Sequence, residues 1–182
     1  MEDIKYLVGQ VIKDEKGKEY KVISAKFIGT TVELKTEEVG KMNKFSQRSL
    51  NSLKGIHPDL VKVMTEAVKY SPIDFTITDG VRTTAQQQAL YAKGRTVPGT
   101  KVTNADGIRS KSNHQAKSDG YGYAVDLYAY HSGKVQVNDD KSLKIIATHI
   151  KSVASKLGIK IEWGGDWKSI IDYPHFELKK QE

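Results

Sequence analysis

The chain has 182 residues, a length that fits one domain or one domain with a small appendage. Its residues are 38% hydrophobic and 28% charged, which is typical of a soluble globular protein, and no apolar run approaches the ~20 residues of a membrane span. The chain contains no cysteine, which excludes disulfides, thiolate metal sites and a cysteine nucleophile. Any metal site therefore has to use His, Asp and Glu.

The net charge of +7 is unevenly distributed. Residues 1–41 carry 8 Lys and 8 acidic residues, so the whole excess lies in residues 42–182. A basic surface favours anionic partners such as nucleic acid, an anionic membrane or a bacterial wall polymer. Because the sequence has no Arg-rich helix and no interleaved basic and aromatic residues, we expect no nucleic-acid binding. The sequence starts MEDIKYLVGQ, with two acidic residues directly after the first methionine, which is unlike a secretory signal.

Residues 4–36 are predicted to form a small strand meander. Three runs rich in Val, Ile, Tyr and Thr (YLVGQVI, EYKVISAKFI and TTVELKT) are separated by KDEKGK and by Gly29, which are typical of turns. About forty residues are marginal for an independent core. We therefore predict a β-rich N-terminal extension over residues 1–41, whose role is open. A polar linker over residues 37–49 and the main domain over residues 42–182 complete this organisation.

The main domain is predicted to alternate helices and strands. A helix begins near Pro58, with apolar residues spaced along one face. A strand follows at 74–80, and Thr83 or Thr84 caps a helix over AQQQALYAK that Gly94 ends. The other predicted elements are a strand at 124–130, a helix near 140–157 and terminal strands in IKIEW and PHFEL.

Residues 95–123 lack periodicity, and a loop this long in a compact domain is usually functional or disordered. The fold class is α+β, with a small antiparallel sheet flanked by helices.

Of the five histidines, His57, His131 and His149 are predicted to be structural or surface residues. His175 differs, because it lies in DYPHFEL with Asp172 three residues before it. A carboxylate and an imidazole at this spacing can share one cleft, although a structural ion pair would give the same pattern.

The stretch SNHQAKSDGYGYAVD adds His114 at one end and Asp126 at the other. A catalytic zinc needs about three protein ligands and an open position, and His114, Asp126 and His175 would supply them. Zinc would activate water and polarise a carbonyl. Asp172 would then be the general base, and Arg82, at the end of a predicted strand, could stabilise an oxyanion.

These motifs resemble the zinc D-alanyl-D-alanine carboxypeptidases and L-alanyl-D-glutamate endopeptidases, which cut peptidoglycan stem peptides. The family signatures S-x-H and G-x-A-x-D correspond to residues 112–114 and 122–126, and its acidic residue before a histidine corresponds to 172–175. GVRTTAQQQALYAKGRT resembles the family's helix with arginine and glutamine. The likeness spans residues 44–178 and is greatest to phage endolysins.

The resemblance implies a role for each site residue. The implied Zn²⁺ ligands are His114, Asp126 and His175, Asp172 is the implied acid/base, and Arg82 is implied to stabilise the tetrahedral intermediate. Gln87 and Ser112 are implied substrate contacts.

The chain departs from the family in the loop between the first histidine and the motif glycine. The family usually has two residues there, whereas this chain has seven, QAKSDGY. We predict that the insert bulges outward, so that His114 and Asp126 still converge. Ser118 and Asp119 of this insert offer oxygen atoms that could bind a hard cation, and an ordinary solvated loop is the alternative.

The sequence thus predicts a phage endolysin that cleaves the L-Ala–D-Glu bond of peptidoglycan. Without a signal peptide it would gather as a monomer in the host cytoplasm and need a separate pore to reach the wall. Three alternatives stay open: a D-Ala-D-Ala carboxypeptidase, a non-catalytic wall-binding or phage tail module, and a protein whose metal is structural.

Overall fold

The computed structural model describes residues 10–38 and 43–179 of the chain. The chain divides into two compact units, Met1–Met42 and Asn43–Glu182. Helices and two antiparallel sheets make up the described residues, so the prediction of an α+β fold is confirmed. No helix in the described part of the chain is long and apolar enough to cross a membrane.

The first unit contains an antiparallel sheet of three strands in the order β1 (Val11–Lys13), β2 (Glu19–Ile28) and β3 (Thr31–Glu38). Gly29 turns the chain between β2 and β3 with a φ of +62°, as the sequence predicts. One face of this sheet is apolar, because Ala25 and Phe27 pair with Leu34 and Val32. The predicted strand over residues 6–12 lies partly outside the described residues.

The second unit is built on a five-stranded antiparallel sheet. Its main path runs β4 (Phe75–Asp79), β5 (Ala124–His131), β8 (His175–Leu178) and β7 (Ile161–Trp163), and β6 (Lys134–Gln136) pairs with β5. The two central strands, β5 and β8, are therefore neighbours in space although they are far apart in the chain. Their fully buried residues include Leu127 and Phe176.

Two long helices cover one face of this sheet. Helix α2 (Pro58–Lys69) packs against α4 (Asp140–Lys156), and both contact the sheet. His57 caps α2 by accepting the Asp59 N–H at Nδ1, and Asp139 caps α4 by accepting the Ser142 N–H. The two helices contribute much of the core through Leu60, Val63, Met64, Ala67, Val68, Leu143, Ile146, Ala147, Ile150 and Ala154.

A short turn connects strand β4 to helix α3 (Thr84–Ala92). Thr83 and Gln86 form a reciprocal capping box at its start, which is the predicted boundary. Residues 95–123 contain no helix or strand, as the sequence also predicts.

Two short elements differ from the sequence prediction. Residues 37–49 are not simply a linker, since β3 reaches Glu38 and helix α1 (Gln47–Ser52) begins inside the range. Ser46 caps α1, and Ser49 of that helix hydrogen-bonds Thr76 and the Ile77 N–H of β4. Strand β6 was also not predicted. Elements of six and three residues carry too little periodicity to be recognised.

Candidate metal centre

The sheet register places two of the predicted ligands side by side. Asp126 on β5 is the cross-strand partner of His175 on β8 and also of Asp79 on β4. Directly opposed residues on neighbouring antiparallel strands project to the same face of the sheet. The carboxylate of Asp126 and the imidazole of His175 consequently lie next to each other.

His114 reaches the same place from the long loop. Its backbone carbonyl accepts the Arg82 N–H at 2.9 Å, and its Nδ1 lies 2.8 Å from the carbonyl oxygen of Gly80. The side chain is buried. These contacts fasten the loop to the end of β4 and turn the His114 Nε2 toward β5.

The three predicted ligands form one cluster. His114 Nε2 lies 3.2 Å from His175 Nδ1 and 3.3 Å from Asp126 Oδ1, and His175 Nδ1 lies 3.1 Å from Asp126 Oδ1. One potential ligand atom from each residue lies within 4.8 Å of the others. The structure therefore brings together the set that the sequence predicts.

The donor atoms of this cluster fit a divalent metal. A hydrogen bond from Nδ1–H of His114 to the Gly80 carbonyl leaves its Nε2 lone pair facing the cluster. His175 is arranged the opposite way, with Nε2 bonded to Glu177 at 2.9 Å and Nδ1 facing inward. Two imidazole nitrogens and one carboxylate oxygen are a ligand set that suits catalytic zinc.

Electrostatics keep the carboxylate of the cluster ionised. Burial opposes ionisation of Asp126, but His114 and His175 more than offset it and hold the pKa of Asp126 well below its ordinary value. Burial likewise disfavours the charged form of His175, yet its hydrogen bonds to Asp126 and Glu177 raise its pKa to about 9. A metal that binds His175 at neutral pH has to displace that proton.

Asp172 lines the same cleft as the cluster. Burial and the nearby charge of Asp126 raise the pKa of its carboxyl, while His175, His114 and Arg82 act in the opposite direction. A raised carboxyl pKa brings the group closer to the range in which it can both accept and release a proton.

Arg82 lies behind the cluster, with its side chain only 11% exposed. Its Nη2 donates to Asp126 Oδ2 at 3.2 Å and to Asp79 Oδ2 at 2.5 Å. Nη1 donates to Gln87 Oε1 at 3.0 Å. The guanidinium thus fixes the outer oxygen of a predicted metal ligand while it lines the cleft.

Gln87 and Ser112 occupy different environments. Gln87 is fully buried, and its amide nitrogen donates to Thr103 Oγ1 and to the Ala105 carbonyl. Gln87 therefore contacts three residues that line the cleft, Arg82, Thr103 and Ala105, but does not line the cleft itself. Ser112 lines the cleft, and its hydroxyl accepts the His114 N–H at 3.2 Å.

The seven-residue insert is closed at its base. The Tyr123 N–H donates to the Asn113 carbonyl at 2.7 Å, so the two ends of the insert lie side by side. Within it, Lys117 and Tyr121 share a backbone hydrogen bond of 2.9 Å. Asp119 accepts from the Tyr121 N–H and the Tyr123 hydroxyl, which leaves its oxygens engaged by protein donors.

The cleft around the cluster has a volume of about 530 Å³. Several of its wall residues did not stand out in the sequence, and these are Lys93, Asn113, Tyr128, Trp167 and Glu177. Strand alternation could have identified Tyr128 and Glu177, since they lie two residues beyond Asp126 and His175 on the same strand faces. Trp167 packs its ring 4.9 Å from the ring of His175.

Replacing Gly164 by alanine is expected to lower activity about 10- to 100-fold while the fold persists. An added Cβ would lie 2.4 Å from the Asp172 carbonyl oxygen and 3.1 Å from the His175 Cβ, so the backbone carrying both residues has to shift. Steady-state kinetics on purified peptidoglycan would measure the loss. The control is Ser152→Ala, at an exposed position of α4 away from the cleft. Unchanged kinetics in the Gly164 variant would contradict the expectation.

Comparisons with known proteins agree on one family. Residues 42–181 match the family described as phage L-alanyl-D-glutamate peptidase. The chain is 34% identical over 137 residues to the L-alanyl-D-glutamate peptidase of Escherichia phage T5, which covers 75% of this chain and 90% of the relative. It is also 34% identical over 132 residues to the peptidoglycan L-alanyl-D-glutamate endopeptidase CwlK of Bacillus subtilis (strain 168), which covers 68% of this chain and 73% of CwlK.

A solved structure shows the same fold. The crystal structure of the Serratia marcescens L-Ala D-Glu endopeptidase ChiX superimposes with a TM-score of 0.61 at 32% sequence identity. The alignment covers 78% of this chain and 92% of ChiX.

Proposed function

The chain belongs to the phage L-alanyl-D-glutamate peptidase family, and on that premise we propose that it is an endolysin that hydrolyses the L-Ala–D-Glu bond of peptidoglycan. The observation that carries the proposal is the convergence of His114, Asp126 and His175 beside Asp172 in one open cleft. The catalytic domain is residues 42–182. Residues 1–41 would be a β-rich N-terminal extension whose role is open.

His114 Nε2, Asp126 Oδ1 and His175 Nδ1 would hold a zinc ion. Three protein ligands leave a position for water or substrate, which is the arrangement of a catalytic rather than a structural zinc site. When bound, zinc supplies a Lewis acid that polarises the scissile carbonyl and lowers the pKa of water. The buried histidines and the ionised Asp126 hold this geometry before substrate arrives.

Asp172 is the general acid/base. Its carboxylate accepts a proton from the attacking water and delivers it to the nitrogen of the leaving D-Glu residue. The raised pKa of Asp172 suits both halves of this transfer. A purely wall-binding module would have no use for such a group beside a metal cluster.

Arg82 supplies positive charge where the scissile carbonyl becomes an oxyanion. Its bonds to Asp79, Asp126 and Gln87 fix the guanidinium in the cleft wall. Gln87 acts through Arg82, since its own side chain is fully buried. Ser112 accepts the His114 N–H, lines the cleft and would contact substrate.

An endolysin of this kind would be made in the host cytoplasm as a monomer and would meet its substrate after release to the wall. The positive charge excess of residues 42–182 concentrates it on an anionic envelope, and this contribution weakens as salt is added.

Digestion of purified peptidoglycan by the zinc-loaded protein tests the proposal. Mass spectrometry of the fragments should show new amino termini at D-Glu and new carboxyl termini at L-Ala. Free D-alanine as the main product would instead identify a D-Ala-D-Ala carboxypeptidase. Binding to the wall without any new termini would identify a non-catalytic module.

A further inference from the structure

The far side of each predicted ligand is held by a different partner. The Gly80 carbonyl accepts from His114 Nδ1, and Arg82 donates to the outer oxygen of Asp126. For His175 the partner is the carboxylate of Glu177, whose Oε2 lies 2.9 Å from Nε2. We propose that Glu177 is a positioning residue that fixes the tautomer and ring orientation of His175 for metal binding.

Strand geometry explains why Glu177 can do this. Residues 175 and 177 are separated by two positions on β8, so their side chains project to the same face. Strand β8 lies between β5 and β7, where Glu177 pairs with Ala124 on one side and with Glu162 on the other. Its backbone is thus held from both sides, and the His175 and Glu177 side chains are only 7% and 17% exposed.

The hydrogen bond to Glu177 gives the two ring nitrogens of His175 different roles. A carboxylate can only accept, so the proton on the Glu177 side resides on Nε2. Once a metal displaces the proton on Nδ1, the lone pair of Nδ1 would face Asp126 and His114, where the metal would bind. Without Glu177, the opposite tautomer would place the proton on the ligating nitrogen.

Glu177 also lies beside the segment that carries the other predicted histidine ligand. Asn113, the residue before His114, lines the cleft together with Glu177, and its side chain lowers the pKa of the Glu177 carboxyl. Glu177 is therefore close to both segments that carry a predicted histidine ligand. This inference rests on the proposed metal site and adds to it the residue that orients one ligand.

Zinc affinity of the metal-free full-length protein tests the assignment. Partners of this kind typically change metal affinity about 10- to 100-fold. Glu177→Gln keeps an acceptor oxygen and should raise the zinc Kd about 10-fold, whereas Glu177→Leu removes it and should raise the Kd about 100-fold. The visible spectrum of bound Co²⁺ should change in both variants.

Glu66→Gln, on the exposed side of α2 and paired with Lys69, is the control and should match the wild type. If the wild type binds no zinc, the proposed metal site fails. If it binds zinc and both Glu177 variants stay within twofold of it, only the positioning role fails. Should the Glu177→Leu protein not fold, Asn113→Ala provides a milder loosening of the same carboxylate, with a weaker zinc affinity expected.

The charged side chains that line the cleft support a second inference. Four carboxylates line the cleft, and its arginine and lysine side chains are Arg82 and Lys93. Arg82 is engaged by Asp79, Asp126 and Gln87. Lys93, at the end of α3, has no acidic partner within ion-pair distance in the described part of the chain.

A glutamate residue carries two carboxyl groups, and only one of them can continue the peptide. The substrate therefore presents a free carboxylate close to the bond that is cut. In a cleft with this many acidic groups, such a carboxylate needs a cation. We infer that Lys93 binds the free carboxylate of the D-Glu residue, which deepens the proposed function by naming a specificity determinant.

Two peptides that differ only in the D-Glu carboxylate or its carboxamide test this role. With Lys93→Gln, KM should rise about fivefold for the acidic peptide, stay unchanged for the amide, and leave kcat unaffected. Lys62→Gln on the outer face of α2 is the control. An equal effect on both peptides, or no effect, would overturn the role of Lys93. Failure of the wild type to cut either peptide at L-Ala–D-Glu would overturn the proposed function instead.

Discussion

Asp172→Asn is expected to lower kcat by about 10²- to 10⁴-fold, the contribution typical of a positioned general acid or base. Asparagine has nearly the same shape as aspartate but cannot accept the proton of the attacking water. The backbone contacts of residue 172, its N–H to the Gly164 carbonyl and its carbonyl to the His175 N–H, do not involve the side chain. Zinc content and fold should therefore be preserved.

The measurement is the steady-state release of new amino termini from peptidoglycan at saturating substrate, alongside the metal content of the same sample. Asp166→Asn is the matched control, because Asp166 follows the same tryptophan–glycine segment but pairs with Lys151 outside the cleft. A kcat of the Asp172 variant within tenfold of the wild type, with zinc still bound, would remove Asp172 from the proposed mechanism.

His114→Ala is expected to abolish activity by weakening zinc binding about a thousandfold. Zinc sites in small domains bind with roughly 10–16 kcal/mol, so losing one of three ligands costs about 4 kcal/mol, which is about 10³ in Kd. Metal analysis after dialysis against a defined free-zinc concentration would measure the loss. Far-ultraviolet circular dichroism would show whether the fold is retained.

His131→Ala is the control, because His131 is an exposed residue at the end of β5 and outside the cluster. It should retain zinc and activity. Full zinc occupancy in the His114 variant would show that a different residue completes the site.

The sequence predicted which residues form the cluster better than it predicted the contacts that hold them there. The residue types and their order lie in short motifs, so His114, Asp126 and His175 could be named as candidate ligands without coordinates. Their convergence depends on strand pairing between β5 and β8 and on the contacts of Gly80 and Arg82 with the loop. Such long-range contacts leave no local pattern in a single sequence.

The residues around the predicted ligands were also hard to recognise from the sequence alone. Glu177 resembles any alternating strand residue, and Lys93 resembles any lysine near the end of a helix. Gln87 was recognised by its place in the arginine-plus-glutamine helix, yet its complete burial depends on the loop around Thr103 and Ala105. The long helices were predictable because their apolar faces repeat over three or more turns.

Because the 115–121 insert is closed at its base, a change in the length of its tip need not change the geometry of the site. Because the Asn113 carbonyl and the Tyr123 N–H meet directly, the exposed tip of the insert at residues 118–120 can lengthen or shorten without changing the distance between His114 and Asp126. Gly120 at the tip has a φ of +85° and open space around its Cβ position. Evolution can therefore vary this loop at little cost to catalysis, and a protein engineer could insert a wall-targeting peptide there.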